Sequence, residues 1–154
     1  QGADFRIYLP RVQEPPAFQR QKTAPRLLSG RERILIVEDE EGVRKVAERL
    51  LSGAGYRCLS APDGHQALAH FTRHDQAFDL VLTDVIMPDM NGPELVQKLL
   101  QQKPTLKVIY MSGYTDDAIA EHGVLTQDTH FVAKPFASET LLRKIRETLD
   151  SKFD

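Results

Sequence analysis

The chain has 154 residues, 41% hydrophobic and 27% charged, with a formal net charge of −2. That length holds one domain with a tail and enough apolar residues for a proper core, and the near balance of charge argues against a nucleic-acid binder driven by phosphate contacts. The single cysteine, Cys58, excludes an intrachain disulfide and suits a reducing, cytoplasmic compartment; no apolar run approaches the ~18–20 residues that span a bilayer, so no membrane contact by this stretch is expected.

Phe5 to Pro10 alternates apolar and polar residues and ends in proline, the pattern of a terminal strand with no partner in this chain. Residues 13–30 are rich in Gln, Pro, Arg and Ser without hydrophobic periodicity and read as a linker. Residues 1–30 hold five basic and two acidic side chains, the rest fifteen and twenty, so the acidic surplus lies downstream and suits cations as ligands.

From Arg31 strand and helix patterns alternate. Ile34–Val37 is a short apolar strand, and Glu41–Ser52 a helix with Val43, Val46, Ala47, Leu50 and Leu51 on one face, ended by Gly53 and Gly55. Tyr56–Ser60 is a weaker strand, and Asp63 an N-cap for a helix presenting Ala67, Leu68 and Phe71. Leu80–Thr83 is the third strand, and Pro93 fits the first turn of a helix with the stripe Leu95, Val96, Leu99 and Leu100. Leu106–Met111, a short helix over Asp116–His122, and Thr129–Ala133 follow. Ser138 then caps a last helix presenting Leu141, Leu142, Ile145 and Leu149. Five strands alternating with five helices predict an α/β fold, a parallel sheet with helices on both faces.

In such sheets ligands sit beyond the carboxyl ends of the strands. Glu38-Asp39-Glu40, Asp84, Ser112 and Lys134 all lie just past separate strands, so they are expected on one rim. Singly each has a plainer role: a helix cap, a turn residue, a surface ion pair. Jointly Glu38, Asp39 and Asp84 bring three negatives against the one positive of Lys134. Two like charges ~4 Å apart repel by ~4 kcal/mol at an effective dielectric near 20. A hard divalent cation would relieve that charge, and a few oxygen ligands with open positions favour Mg²⁺; no His/Cys spacing suits zinc. A carboxylate can attack phosphorus to form an acyl phosphate, provided cations and hydrogen-bond donors surround the phosphoryl oxygens.

On these motifs the stretch from Arg33 to about Lys152 resembles a response-regulator receiver domain, the phosphoacceptor module of two-component signalling. I-L-I-V-E-D-E resembles the first strand and acidic pair, D-V-I-M-P-D-M-N-G the phosphoacceptor loop, M-S-G-Y the hydroxyl position and F-V-A-K-P-F the lysine strand. The resemblance implies a sheet in the flavodoxin-like order 2-1-3-4-5. It implies Asp84 as the phosphorylated residue, with Lys134 and Ser112 as its catalytic partners. It also implies a metal site of Glu38 (through water), Asp39, Asp84 and the backbone carbonyl of Ile86, a cis Lys134–Pro135 bond, and a switch in which Ser112 moves and Phe131 turns inward. Its implied partner is a histidine-kinase or histidine-phosphotransfer domain, with a homodimer through the last two helices as a further option. Glu38 stands where Asp is commoner and Ser112 where Thr is commoner. Ile86 and Tyr114, flanking the presumed path of the hydrolytic water, are not small polar residues, and slow self-dephosphorylation is expected.

Q-G-A-D-F-R-I-Y-L-P at the start resembles the end of a histidine-kinase ATP-binding domain, and Y-M-S-G-Y-T-D-D resembles receivers fused to sensor kinases. Residues 1–12 are then a remnant of that domain's last strand, 13–30 a linker and 31–154 the receiver, all within a hybrid histidine kinase. Two other classes compete. An aspartyl-phosphate hydrolase also uses an Asp nucleophile with Mg²⁺, but many carry a second Asp two residues on, where this chain has Ile86. A binding module of receiver fold that is never phosphorylated would not need the intact acid, hydroxyl and lysine set. His65, His70, His74 and His122 make no ligand pair, and His130 lies beside the switch position.

Overall fold

The structure, a computed structural model, describes residues 28–113 and 130–151. The expected helix over 116–122, Tyr114 and nearly all of residues 1–30 lie outside that range. Among the described residues the elements are β1 (Arg33–Val37), α1 (Glu41–Gly53), β2 (Arg57–Ala61), α2 (Gly64–Arg73), β3 (Leu80–Asp84), α3 (Gly92–Gln102), β4 (Lys107–Ser112), β5 (His130–Ala133) and, as α4, Ser138–Asp150. The strands form one parallel sheet in the order β2-β1-β3-β4-β5, as expected.

β3 is buried at all five positions and β1 at four, because central parallel strands are covered on both faces. Alternate residues feed two cores. Leu35, Val37, Val81 and Tyr110 pack with Phe71 of α2 and Leu95 and Leu99 of α3. Ile34, Ile36, Leu82 and Ile109 pack on the other face with Leu51 of α1 and Leu141 and Ile145 of α4. Each fully buried Leu or Ile contributes about 1.5–3 kcal/mol.

Of the caps, that at Asp63 follows the sequence reading, that at Asn91 was not singled out by it, and that of α4 departs from it. Asp63 accepts from the Gln66 amide at 2.7 Å and Asn91 from the Glu94 amide at 2.9 Å. Ser138, expected as the cap of α4, is its first helical residue; Ala137 holds the cap position without a side-chain bond. Val46, expected in the apolar face of α1, is 51% exposed, whereas Ala47 and Leu51 are fully buried. A stripe five residues wide has two edges, and the seat of α1 on the sheet covers the Ala47–Leu51 edge.

At the start of the described chain, half-buried Leu28 packs against the second core. The Gly30 amide donates to the Ala54 carbonyl at 3.2 Å. Arg146 of α4 reaches back to Glu32 at 2.7 Å and forks onto Asp150 at 2.8–2.9 Å.

Candidate phosphoacceptor site

The parallel sheet brings the ends of β1, β3, β4 and β5 to one rim. Asp84 and Ser112 are the last residues of β3 and β4, one position earlier than expected, and Glu38 follows β1 directly. Glu38 is fully buried, Asp84 and Ser112 are nearly so, and Asp39 is exposed. One carboxylate oxygen from each of Glu38, Asp39 and Asp84 lies within 4.8 Å of the others.

Lys134 closes the group. Its Nζ donates to Asp84 Oδ2 at 2.7 Å and stands 2.6 Å from Glu38 Oε2. The second contact is close but poorly directed, so the buried Oε2 has an ion-pair partner without a well-formed hydrogen bond. Burial pushes the Glu38 carboxyl above its ordinary range, and the neighbouring Asp84 charge adds to this; Lys134 offsets only part of it. Burial alone would lower the Lys134 ammonium, but its close contacts with the Asp84 and Glu38 carboxylates outweigh that and hold it above its usual value. One cation is shared by two carboxylates, which leaves Glu38 undercompensated.

The loop after β3 is shaped to hold Asp84 in place. The Ile86 amide lies 3.4 Å from Asp84 Oδ1, a long contact, and the Gly92 amide donates to the Val85 carbonyl at 2.9 Å. A side chain at Gly92 would run into the Asp84 carbonyl. Asp89 carries a positive φ of 63° in this loop. The Lys134–Pro135 bond is cis, and the Lys134 amide donates to the Ser112 carbonyl at 2.7 Å, joining the ends of β4 and β5.

A cleft of about 780 Å³ opens at the carboxylates, lined also by the apolar Val43, Val46, Ile86, Pro135 and Phe136. The residues therefore fit a small hard cation: three oxygen donors converge, one is buried without a directed hydrogen bond, and the four charges sum to an excess of two negatives. Two contributors escaped the sequence reading. Arg44 donates to the Glu38 carbonyl at 2.6 Å and the Asp39 carbonyl at 3.2 Å, pinning the acidic run from the first turn of α1. Tyr110 stacks on Phe131 with ring centroids 5.6 Å apart. A spacing of five or six residues from an acidic pair to an arginine was the available signal for the first; nothing local signals the second.

Of the histidines, His65 and His74 are exposed, His74 with its edge to Phe78; His70 is half-buried, and His122 lies outside the described residues. No helix among the described residues is long and apolar enough to cross a membrane.

A five-stranded doubly wound sheet with acid, lysine and hydroxyl on its carboxyl rim defines a phosphoacceptor-type α/β domain. Comparison with known proteins agrees. The family model described as "Response regulator receiver domain" matches residues 34–146. The chain is 34% identical over 159 residues to the sensor kinase CckA of Brucella abortus (strain 2308), a match that takes in 98% of this chain and 17% of the kinase. It is 34% identical over 122 residues to sporulation initiation phosphotransferase F of Bacillus subtilis (strain 168), covering 79% of this chain and 96% of that protein. A crystal structure of the receiver domain from the hybrid histidine kinase CckA superposes with a TM-score of 0.66 at 37% identity, over 77% of this chain and 99% of that one. The chain belongs to the response-regulator receiver family. Receiver domains of two-component systems interact with kinase or phosphotransfer partners and bind Mg²⁺ at an acidic pocket, and this chain has such a pocket in Glu38, Asp39 and Asp84.

Proposed function

We propose that Asp84 accepts a phosphoryl group from phosphohistidine on a kinase or phosphotransfer domain, in a Mg²⁺-dependent reaction. The P–N bond of the donor breaks, an Asp84 Oδ–P bond forms, and the freed imidazole nitrogen takes up a proton. The supporting observation is the Lys134 ammonium held 2.7 Å from Asp84 and 2.6 Å from Glu38 at the base of an open cleft.

Lys134 orients the Asp84 carboxylate and then meets the negative oxygens of the arriving phosphoryl group, a preorganised cation where charge develops. Ser112 donates its hydroxyl to the same oxygens. Asp39, Asp84 and the Ile86 carbonyl would hold Mg²⁺ directly, with Glu38 through water. The bound ion would add positive charge at the phosphoryl oxygens. Phe131 then turns toward the space Ser112 leaves, a two-state element of the kind a charge switch needs.

The parent is proposed to be a cytoplasm-facing hybrid histidine kinase, with residues 1–12 from the end of its ATP-binding domain, 13–30 as tether and 31–154 as receiver. Pairing of two copies through the last two helices is a further expectation, read by sedimentation with and without the phosphoryl group. Nucleic acid is not an expected partner.

Intact-protein mass after incubation with Mg²⁺ and acetyl phosphate tests the core of this reading. One added phosphoryl group, absent in Asp84→Ala and in chelator, is the expected result. An adduct that persists in Asp84→Ala would move the site elsewhere.

A further inference from the structure

Tyr110 and Phe131 are register partners on the adjacent parallel strands β4 and β5, so their side chains leave the sheet on the same face. Their rings stack at 5.6 Å with 28° between planes. Tyr110 is only 6% exposed and belongs to the core, whereas Phe131 is half-buried and packs at its margin. Ser112 lies two residues beyond Tyr110 on β4, hence on that same face, and pairs with Ala133, two beyond Phe131. A turn of Phe131 toward Ser112 would therefore break its stack on the Tyr110 ring.

We infer that Tyr110 is a positioning residue for the switch: its ring holds Phe131 in the stacked arrangement and opposes the turn toward Ser112. The inference rests on the proposed roles of Asp84, Ser112 and Phe131, and adds what sets the balance between their two arrangements. The ring face does this, not the hydroxyl. Burial pushes the Tyr110 phenol up to about 12, so the ring stays neutral through the working pH range. A ligand that draws Ser112 inward must overcome the stack before Phe131 can follow, and its apparent affinity is lowered accordingly.

The test compares Tyr110→Phe, Tyr110→Leu and Tyr110→Ala with the unaltered chain in two measurements. One is the rotamer distribution of Phe131 by NMR of its labelled ring without ligand. The other is the affinity for beryllofluoride with Mg²⁺, which stands in for the phosphoryl group. In the Leu and Ala variants Phe131 should populate the inward rotamer before any ligand, and beryllofluoride should bind about three- to tenfold tighter, the size of effect an aromatic pair supplies. The Phe variant should match the unaltered chain in both. The Leu variant keeps most of the core volume and carries the test if the Ala variant does not fold. A folded Leu variant with unchanged Phe131 rotamers, or with unchanged or weaker affinity, would reduce Tyr110 to a core filler. Beryllofluoride that fails to bind the unaltered chain would instead refute the phosphoacceptor site, and the ligand-free rotamers would still judge the stack.

Discussion

Gly92 and Asp84 meet backbone to backbone: a Cβ on Gly92 would stand 2.2 Å from the Asp84 carbonyl oxygen and 3.2 Å from the Val85 Cα. Nothing soft is there to yield, so Gly92→Ala has to move the loop that carries Asp84. A loss of about 1–3 kcal/mol in urea unfolding is expected, together with slower acyl-phosphate formation. Gly53, at the end of α1, has nothing within 4 Å of such a Cβ. Gly53→Ala should be neutral or stabilise by up to about 1 kcal/mol. Equal effects of the two substitutions would contradict the close approach at Gly92.

The sharing of Lys134 between Glu38 and Asp84 sets two substitutions against each other. Lys134→Met removes the cation held between these carboxylates and should slow acyl-phosphate formation by about a hundredfold, the usual effect of losing one preorganised donor. Glu38→Gln removes one of three clustered negatives. In chelator it should raise stability by about 1 kcal/mol, a gain that disappears at saturating Mg²⁺ because the unaltered site then gains more from the ion. Acyl-phosphate formation followed by intact mass reads the first direction, and denaturation of Glu38→Gln with chelator and with Mg²⁺ reads the second; a loss of stability in Glu38→Gln under chelator would show that the cluster is not charge-strained.

Glu32 gives a pH dependence away from the site. Partial burial would raise its carboxyl, but the hydrogen bond and charge of Arg146 outweigh that and hold it below its ordinary value of 4.5. A depressed folded value means stability that is present above pH 4.5 and lost as pH falls through the folded value. Glu32→Gln should therefore lose about 0.5–1 kcal/mol at pH 7, as expected of a partly exposed pair, and nothing once the pH is below the folded value. Urea midpoints of the two proteins from pH 3 to 7 check this: the curves should converge in acid, and a constant gap would assign the effect to packing.

Ile86 is 41% exposed on the rim of the cleft, two residues after Asp84. It offers no polar group to orient a water toward an acyl phosphate. Ile86→Asn should shorten the lifetime of the phosphorylated form by roughly tenfold, below the range of a positioned acid or base because an amide only aligns the water. Decay of the phosphorylated species by mass over time measures it. A lifetime that stays the same or lengthens would mean the hydrolytic path does not cross this residue.

Periodicity determined much of this protein. Alternation by two and by 3.6 is written into neighbouring residues, which is why the strands around Ile34–Val37 and Leu80–Thr83 and the helical stripes of Ala47, Leu51, Leu95 and Leu99 are legible in the sequence alone. The rim itself was legible because strand ends in a parallel sheet share one edge, whatever the side chains. Tertiary structure decided the rest. Which edge of the α1 stripe is covered depends on how the helix seats, so Val46 faces the cleft and not the core. Whether Lys134 serves one carboxylate or two depends on a distance between residues fifty apart in sequence, and the Arg146–Glu32 pair spans 114. The stacking of Tyr110 on Phe131 follows from the register of β4 against β5. A register is set by the packing of whole segments, so no local pattern encodes it.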